Sequence, residues 1–366
     1  MTVVKFGDIV RDVKINIDRN NNPYKHYVAG DHMDSEDLTI HRFGDFDTDD
    51  VGPAFTRLFK PGQVLYGSRR TYLKKVAVAD FEGICANTTF VLESKDESIF
   101  DNRLLPFIML SDAFTRWSIA HSKGSTNPYV LFSDLASFEF SLPSLDQQKI
   151  LADKLWSAYR LKESYKKLLD ASQEMVKSQF IEMFGDPMTN DKHWPDYKNM
   201  NEVTRIVLGS TPNSKNPAYW DGDVRWITPA EMTEDSFYIY DTERHITEDG
   251  RNSANLTLLP KGAVLFSTRA PIGKIGIVGN EMCCNQGFKN FVCSDKINNI
   301  FLFYTLKYKK DYLCSLGTGT TFKELSKKTV ESLKIAIPPL ERQRMFESIY
   351  RQADKSESVW HHKMAS

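Results

Sequence analysis

The chain has 366 residues, 41% hydrophobic and 26% charged, a globular balance at a length that suits two domains and excludes a disordered or fibrous chain. Its longest apolar run, residues 104–110, is far short of a bilayer span, and no basic stretch leads into an apolar one at the N-terminus, so a soluble, cytoplasmic protein with no membrane partner is expected. Net charge is −1; residues 1–143 carry 16 Lys+Arg against 20 Asp+Glu and residues 187–337 carry 19 against 17, so any nucleic-acid role needs local basic clusters or a basic partner.

In chain order, Pro61-Gly62 opens a strand over Val64-Leu65-Tyr66, Val76-Ala77-Val78 reads as the next, and helical stretches follow near residues 100–120. Pro143 ends a further strand. Behind it the apolar period changes to 3.6, with Leu151, Leu155, Ala158, Tyr165, Leu168, Leu169, Met175 and Val176 at three- and four-residue spacing. This predicts a helix of roughly 40 residues, about 60 Å long, stopped by Gly185-Asp186-Pro187. The series then restarts. Lys261-Gly262 opens Val264-Leu265-Phe266, Ile275-Gly276-Ile277-Val278 follows, and helix is expected near 297–313. Beyond Pro338, Phe346, Ile349, Ala353, Ser356 and Trp360 form a second helical seam.

The restart is an internal duplication. Tyr27-Val28-Ala29-Gly30 is echoed by Trp226-Ile227-Thr228-Pro229, and Gly62-Gln63-Val64-Leu65-Tyr66-Gly67-Ser68-Arg69 by Gly262-Ala263-Val264-Leu265-Phe266-Ser267-Thr268-Arg269. Cys85-Ala86-Asn87 returns as Cys284-Asn285-Gln286, Phe90-Val91 as Phe291-Val292, and Lys123-Gly124-Ser125-Thr126 as Thr318-Gly319-Thr320-Thr321. Leu151, Leu155, Ala158 and Tyr165 align with Phe346, Tyr350, Ala353 and Trp360. The expected fold class is α+β: a mixed α/β domain followed by a long helix, twice over, with the two helices packing as an antiparallel coiled-coil pair. The five cysteines, Cys85, Cys283, Cys284, Cys293 and Cys314, form no C-x-x-C pair, so they read as packing residues and no metal site is expected. Gly273, Gly276 and Gly279 read as turn and strand glycines, because no strand–GxGxxG–helix order surrounds them.

With these residues in order, the whole chain resembles the specificity (S) subunit of type I restriction–modification systems. Leu142-Pro143-Ser144-Leu145-Asp146-Gln147-Gln148 and Ile337-Pro338-Pro339-Leu340-Glu341-Arg342-Gln343 are similar to that family's "lPplxeQ" opening of each helix, and Met183-Phe184-Gly185-Asp186-Pro187 to its exit from the central helix. Trp194-Pro195 and Cys284-Asn285-Gln286-Gly287 are also family-like. The resemblance implies a first target-recognition domain (1–143), a central conserved spacer helix (144–186), a second target-recognition domain (187–337) and a short distal helix (338–366). It further implies a subunit that is not catalytic. Each domain would read one half of a bipartite double-stranded DNA site, and the helices would set the spacing and dock two modification subunits, which methylate adenine N6. Restriction subunits would join the full complex. S-adenosylmethionine, ATP and Mg²⁺ would reside on those partners, and this chain would carry no cofactor.

The candidate DNA-binding residues are basic or hydroxyl groups in repeated loops: Arg69, Arg70, Lys74, Lys75, Lys123, Ser125 and Thr126 in the first copy, and Arg269, Lys274, Thr318, Thr320, Thr321 and Lys323 in the second. Guanidinium groups can bond a guanine edge or a phosphate; small hydroxyls and lysines suit phosphate positioning. The candidate partner-binding helix residues are Leu151, Leu155, Tyr165, Leu169, Phe346, Ile349 and Trp360. Two enzymatic readings fail on their residues. Asn127-Pro128-Tyr129 lacks the second proline of a methyltransferase [DN]-P-P-[YF] loop, and Asp80 with Glu93-Ser94-Lys95 imitates a nuclease metal site at a spacing chance often supplies. Tyr219-Trp220 and Arg225-Trp226 read as core. The remaining alternative is a duplicated scaffold that binds partner helices without reading DNA.

Overall fold

The computed structural model describes residues 2–18, 21–233, 236–269, 271–318 and 323–364, with side chains through residue 354 of the last helix. The chain forms two compact units, Met1–Ser164 and Tyr165–Ser366.

Each unit is built from the same parts. In the first, an antiparallel sheet runs in the order Val10–Asp12, Thr89–Ser94, Val64–Gly67, Val76–Val78. A second sheet orders Gly44–Asp45, His26–Val28, Gly83–Ala86 and Phe55–Phe59, with His26–Val28 parallel to Gly83–Ala86. In the second unit, Thr204–Leu208, Lys289–Cys293, Val264–Phe266, Ile275–Val278 and Tyr238–Ile239 form the larger sheet. His245–Ile246, Trp220–Ile227 and Cys283–Cys284 form the smaller, again with one parallel pair. The helices Leu105–Leu110 and Asp112–Ala120 have their counterparts in Asn299–Tyr308 and Lys310–Ser315.

The turn glycines explain themselves. Gly62 and Gly262 hold φ of 85° and 87°, a left-handed conformation that glycine tolerates without a Cβ clash. Their carbonyls accept from Asn102 Nδ2 at 2.9 Å and Asn299 Nδ2 at 3.0 Å, the same tie in both units. Trp220 and Trp226 are buried in edge-to-face contact, as read from the sequence. Cys85, Cys283 and Cys284 are buried, and burial pushes the Cys85 thiol up to about 12.

Strand pairing corrects one correspondence read from the sequence. Val64 faces Leu92 and Val264 faces Phe291, an offset of 199 that matches Phe90 with Lys289, where Phe90-Val91 had been matched with Phe291-Val292. The slip is two residues. That is one strand period, so apolar similarity survives it.

The helix openings close each unit. Thr2–Lys5 pairs with Glu139–Leu142, and Tyr197–Asn199 with Lys334–Ala336, which brings each domain's start beside its end. The buried Gln148 then accepts from the Asp101 amide at 2.9 Å and donates to the carbonyls of Ile99 and Pro143. Gln343 repeats this, accepting from the Asn298 amide at 2.8 Å and donating to the Pro338 carbonyl at 2.7 Å.

The central helix spans Leu145–Phe184, inside the predicted 144–186, and the distal helix spans Leu340–Met364. Ala152, Leu155, Trp156 and Tyr159 join the core of the first unit; Val176, Phe180 and Phe184 join that of the second. There the two helices contact each other, through the rings of Phe180 and Phe184 against Phe346. Gly185 stops the central helix at φ 78°, and the Phe184 carbonyl accepts from Trp194 Nε1 at 2.8 Å. Phe346 is therefore core; Ile349 is half-buried, and the Trp360 side chain lies outside the described residues.

Candidate nucleic-acid interface

In the first unit, the segment 123–129 folds back on itself: Lys123 and Tyr129 exchange backbone hydrogen bonds of 2.7 and 2.9 Å. Arg69 bridges to Tyr129, and the Arg70 amide donates to the Pro128 carbonyl at 2.7 Å. Arg70 Nε also donates to Asn127 Oδ1 at 3.2 Å. The fold thus brings Arg69, Arg70, Lys123, Ser125 and Thr126 to one exposed loop cluster. Lys123 pairs with Asp134 at 3.1 Å. Asn127 and Tyr129 serve this loop.

The second unit repeats the frame. Thr318 and Glu324 exchange backbone bonds of 3.1 and 2.9 Å, and Arg269 bridges to Glu324. Val130 and Leu325, each one residue beyond, donate to the carbonyls of Ser68 and Thr268 at 2.9 Å in both cases. Arg269, Thr318 and Lys323 are exposed around this frame, whereas Thr320 and Thr321 lie outside the described residues.

The remaining basic candidates hold loops. Lys75 Nζ donates to the Gly30 carbonyl and Lys274 Nζ to the Pro229 carbonyl, one contact made twice. Lys74 Nζ lies 2.7 Å from Glu36 and 3.4 Å from Asp112. The nuclease-like triplet is likewise engaged: Glu93 accepts from Arg11 Nε and Gln63 Nε2, and Lys95 from its ammonium bonds the Gly7 carbonyl.

Two features escaped the sequence reading. Glu324 sits between Arg269 Nε and Lys289 Nζ, each 2.9 Å away. Burial pushes its carboxyl up, but bonds to Lys289 and Arg269 outweigh this and hold it below the usual glutamate range. Its neighbour Lys323 was a candidate; the glutamate itself gave no signal, because Lys289 is 35 residues away. Asp37, His41 and Glu163 also bring ligand-type atoms within 4.8 Å of one another. Asp37 Oδ1 already accepts from the Thr39 amide and the Tyr159 hydroxyl, and Oδ2 lies 3.2 Å from His41 Nε2, so the cluster ties this segment to the central helix. Among the described residues, no helix is long and apolar enough to cross a membrane.

The structure is thus a mixed α/β frame used twice, each copy carrying an arginine beside a bridged loop. The family model for the type I restriction modification DNA specificity domain matches residues 16–171 and 193–357, and the chain belongs to this family. It is 36% identical over 166 residues to the type I restriction enzyme MjaIX specificity subunit of Methanocaldococcus jannaschii, covering 44% of this chain and 38% of that protein's length. It is 20% identical to the HindI specificity subunit of Haemophilus influenzae, covering 92% of this chain and 89% of that one. Its fold is similar to the type I restriction–modification S subunit of M. genitalium (TM-score 0.62, 14% identity, 100% of this chain and 92% of that chain). It is also similar to a chain from work on complex assembly and conformational transition of the type I R-M system (TM-score 0.53, 20% identity, 100% and 93%).

Proposed function

We propose that this chain is the sequence-reading, non-catalytic subunit of a type I restriction–modification complex. The observation that carries the reading is the repeated frame of Arg69 with 123–129 and Arg269 with 318–324, on two halves that each match a DNA specificity domain. Each target-recognition domain, 1–143 and 187–337, reads one half of a bipartite site. Exposed guanidinium groups at Arg69, Arg70 and Arg269 reach base edges or phosphates, and Lys123, Ser125, Thr126, Thr318 and Lys323 position the backbone. Lys74, Lys75 and Lys274 add positive charge beside them, each also bonded to a carbonyl or carboxylate of a neighbouring segment.

The helices of 144–186 and 338–366 act as spacer and dock. They extend the Phe180–Phe346 contact into an antiparallel coiled-coil pair. Exposed Leu151 and Tyr165, with half-buried Leu169 and Ile349, contribute to surfaces for two modification subunits, and Leu155 seats that face on the first unit's core. Those partners carry S-adenosylmethionine, and restriction subunits carry the ATP- and Mg²⁺-dependent steps. A gel shift with and without the modification subunits tests the reading: sequence-specific retardation is expected in the complex. No specific retardation in either lane would leave a helix-binding scaffold.

A further inference from the structure

At the position facing the shared arginine, the two units carry different chemistry. In the first, the Arg69 guanidinium lies 6.0 Å from the ring centroid of Tyr129. In the second, Arg269 Nε donates to Oε2 of Glu324, and Lys289, only 7% exposed, donates to Oε1. Strand register puts Phe90 where the second unit has Lys289. One head faces its arginine with a tyrosine ring, and the other with an ion pair. The frame is indifferent to the choice, since its backbone bonds are the same in both.

We infer that Tyr129 and Glu324 are specificity-determining residues that make the two heads prefer different bases beside a common arginine contact; the inference rests on the DNA-reading function proposed above. An aspartate or glutamate carboxylate repels phosphate, so beside DNA its favourable neighbour is a base amino group, cytosine N4 above all. Each Glu324 oxygen is used once and keeps a lone-pair site for such a donor. Arg269, anchored at Nε, retains its two terminal nitrogens for the N7 and O6 atoms of a neighbouring guanine. Tyr129, 39% exposed as a residue, offers no acceptor charge, and its ring presents an apolar edge suited to a thymine methyl.

An ion pair at this place is also costly to keep. Lys289 is answered by the Glu324 carboxylate and the Thr268 hydroxyl, of which only the carboxylate carries charge, and the first unit shows that the fold does without the ion pair.

The test is selection from a randomised duplex library by the chain assembled with its modification subunits, using wild type, Glu324→Gln and Tyr129→Glu. The wild type is expected to enrich a bipartite motif. Glu324→Gln should relax one position of one half-site by roughly tenfold and leave the other half-site intact. Tyr129→Glu should move one position of the other half-site from thymine towards cytosine. Unchanged motifs from both variants, at undiminished affinity, would overturn the inference. A wild type that enriches nothing would instead overturn the DNA-reading function. If Glu324→Gln unfolds its domain, that whole half-site disappears and the melting temperature falls; Tyr129→Glu, at an exposed position, then decides alone.

Discussion

Gln148 and Gln343 show how much one buried side chain can organise. Each bonds backbone groups on both sides of the junction between domain and helix, at sequence distances up to 49 residues. Replacing Gln343 by Ala strands the Asn298 amide and the Pro338 carbonyl, and a buried unsatisfied group costs about 1–3 kcal/mol. Urea titration of the isolated chain should show that loss in the transition of the second unit, and an unchanged midpoint would refute it. The glutamine was visible in the sequence as the last letter of a repeated motif. Its role was not, because its partners in the 99–101 and 298 segments belong to no motif. Glu324 supplies a pH test at the same scale. Its folded pKa is depressed, so its contribution is full above the ordinary glutamate value and is lost as pH falls through the lowered one. The melting-temperature gap between wild type and Glu324→Gln should therefore be constant near neutrality and close in acid.

The central helix, Leu145–Phe184, is legible from its period, its proline start and its glycine stop. What the period cannot reveal is which apolar positions face a globular core. Phe180 is fully buried, in ring contact with Phe184, Phe301, Tyr304, Tyr308 and Phe346, yet it was absent from the predicted seam. Leu168, which was in the seam, is 57% exposed. Phe180→Ala should cost about 3–5 kcal/mol, whereas Leu168→Ala should stay within about 0.5 kcal/mol in the isolated chain. Equal costs by chemical denaturation would mean the helix packs differently. Assembly with the modification subunits is where Leu168→Ala should be felt, as a faster dissociation in surface-binding measurements.

For the molecule as a whole, duplication was the feature most plainly written in the sequence, and it survives as paired sheets, paired glycine turns and paired lysine–carbonyl ties. The side chains that distinguish the copies were harder to see, because echoes draw attention to sameness. With a net charge of −1, the proposed DNA contact by this chain rests on a few exposed cations, so its own share of the salt dependence should be modest. A phosphate contact contributes about 0.9 to the slope of log K against log salt. Anisotropy titrations should show Arg70→Ala lowering that slope by about this amount with the preferred site unchanged. Arg269→Ala should blur one half-site while leaving the slope nearly as it was. The reverse pattern would exchange the roles of the two arginines.

The enclosed Lys289 leaves a historical signature. Its cation cannot outlast the Glu324 carboxylate without penalty, since loss of the glutamate leaves a buried ammonium with only the Thr268 hydroxyl to answer it. Across descendant lineages these two sites should therefore drift as a couple, changing together or staying put. The tyrosine site of the other copy has no such tether and is free to wander. A molecule born symmetrical would in this way acquire one half that evolves quickly by single steps and one that moves only in rarer double strides.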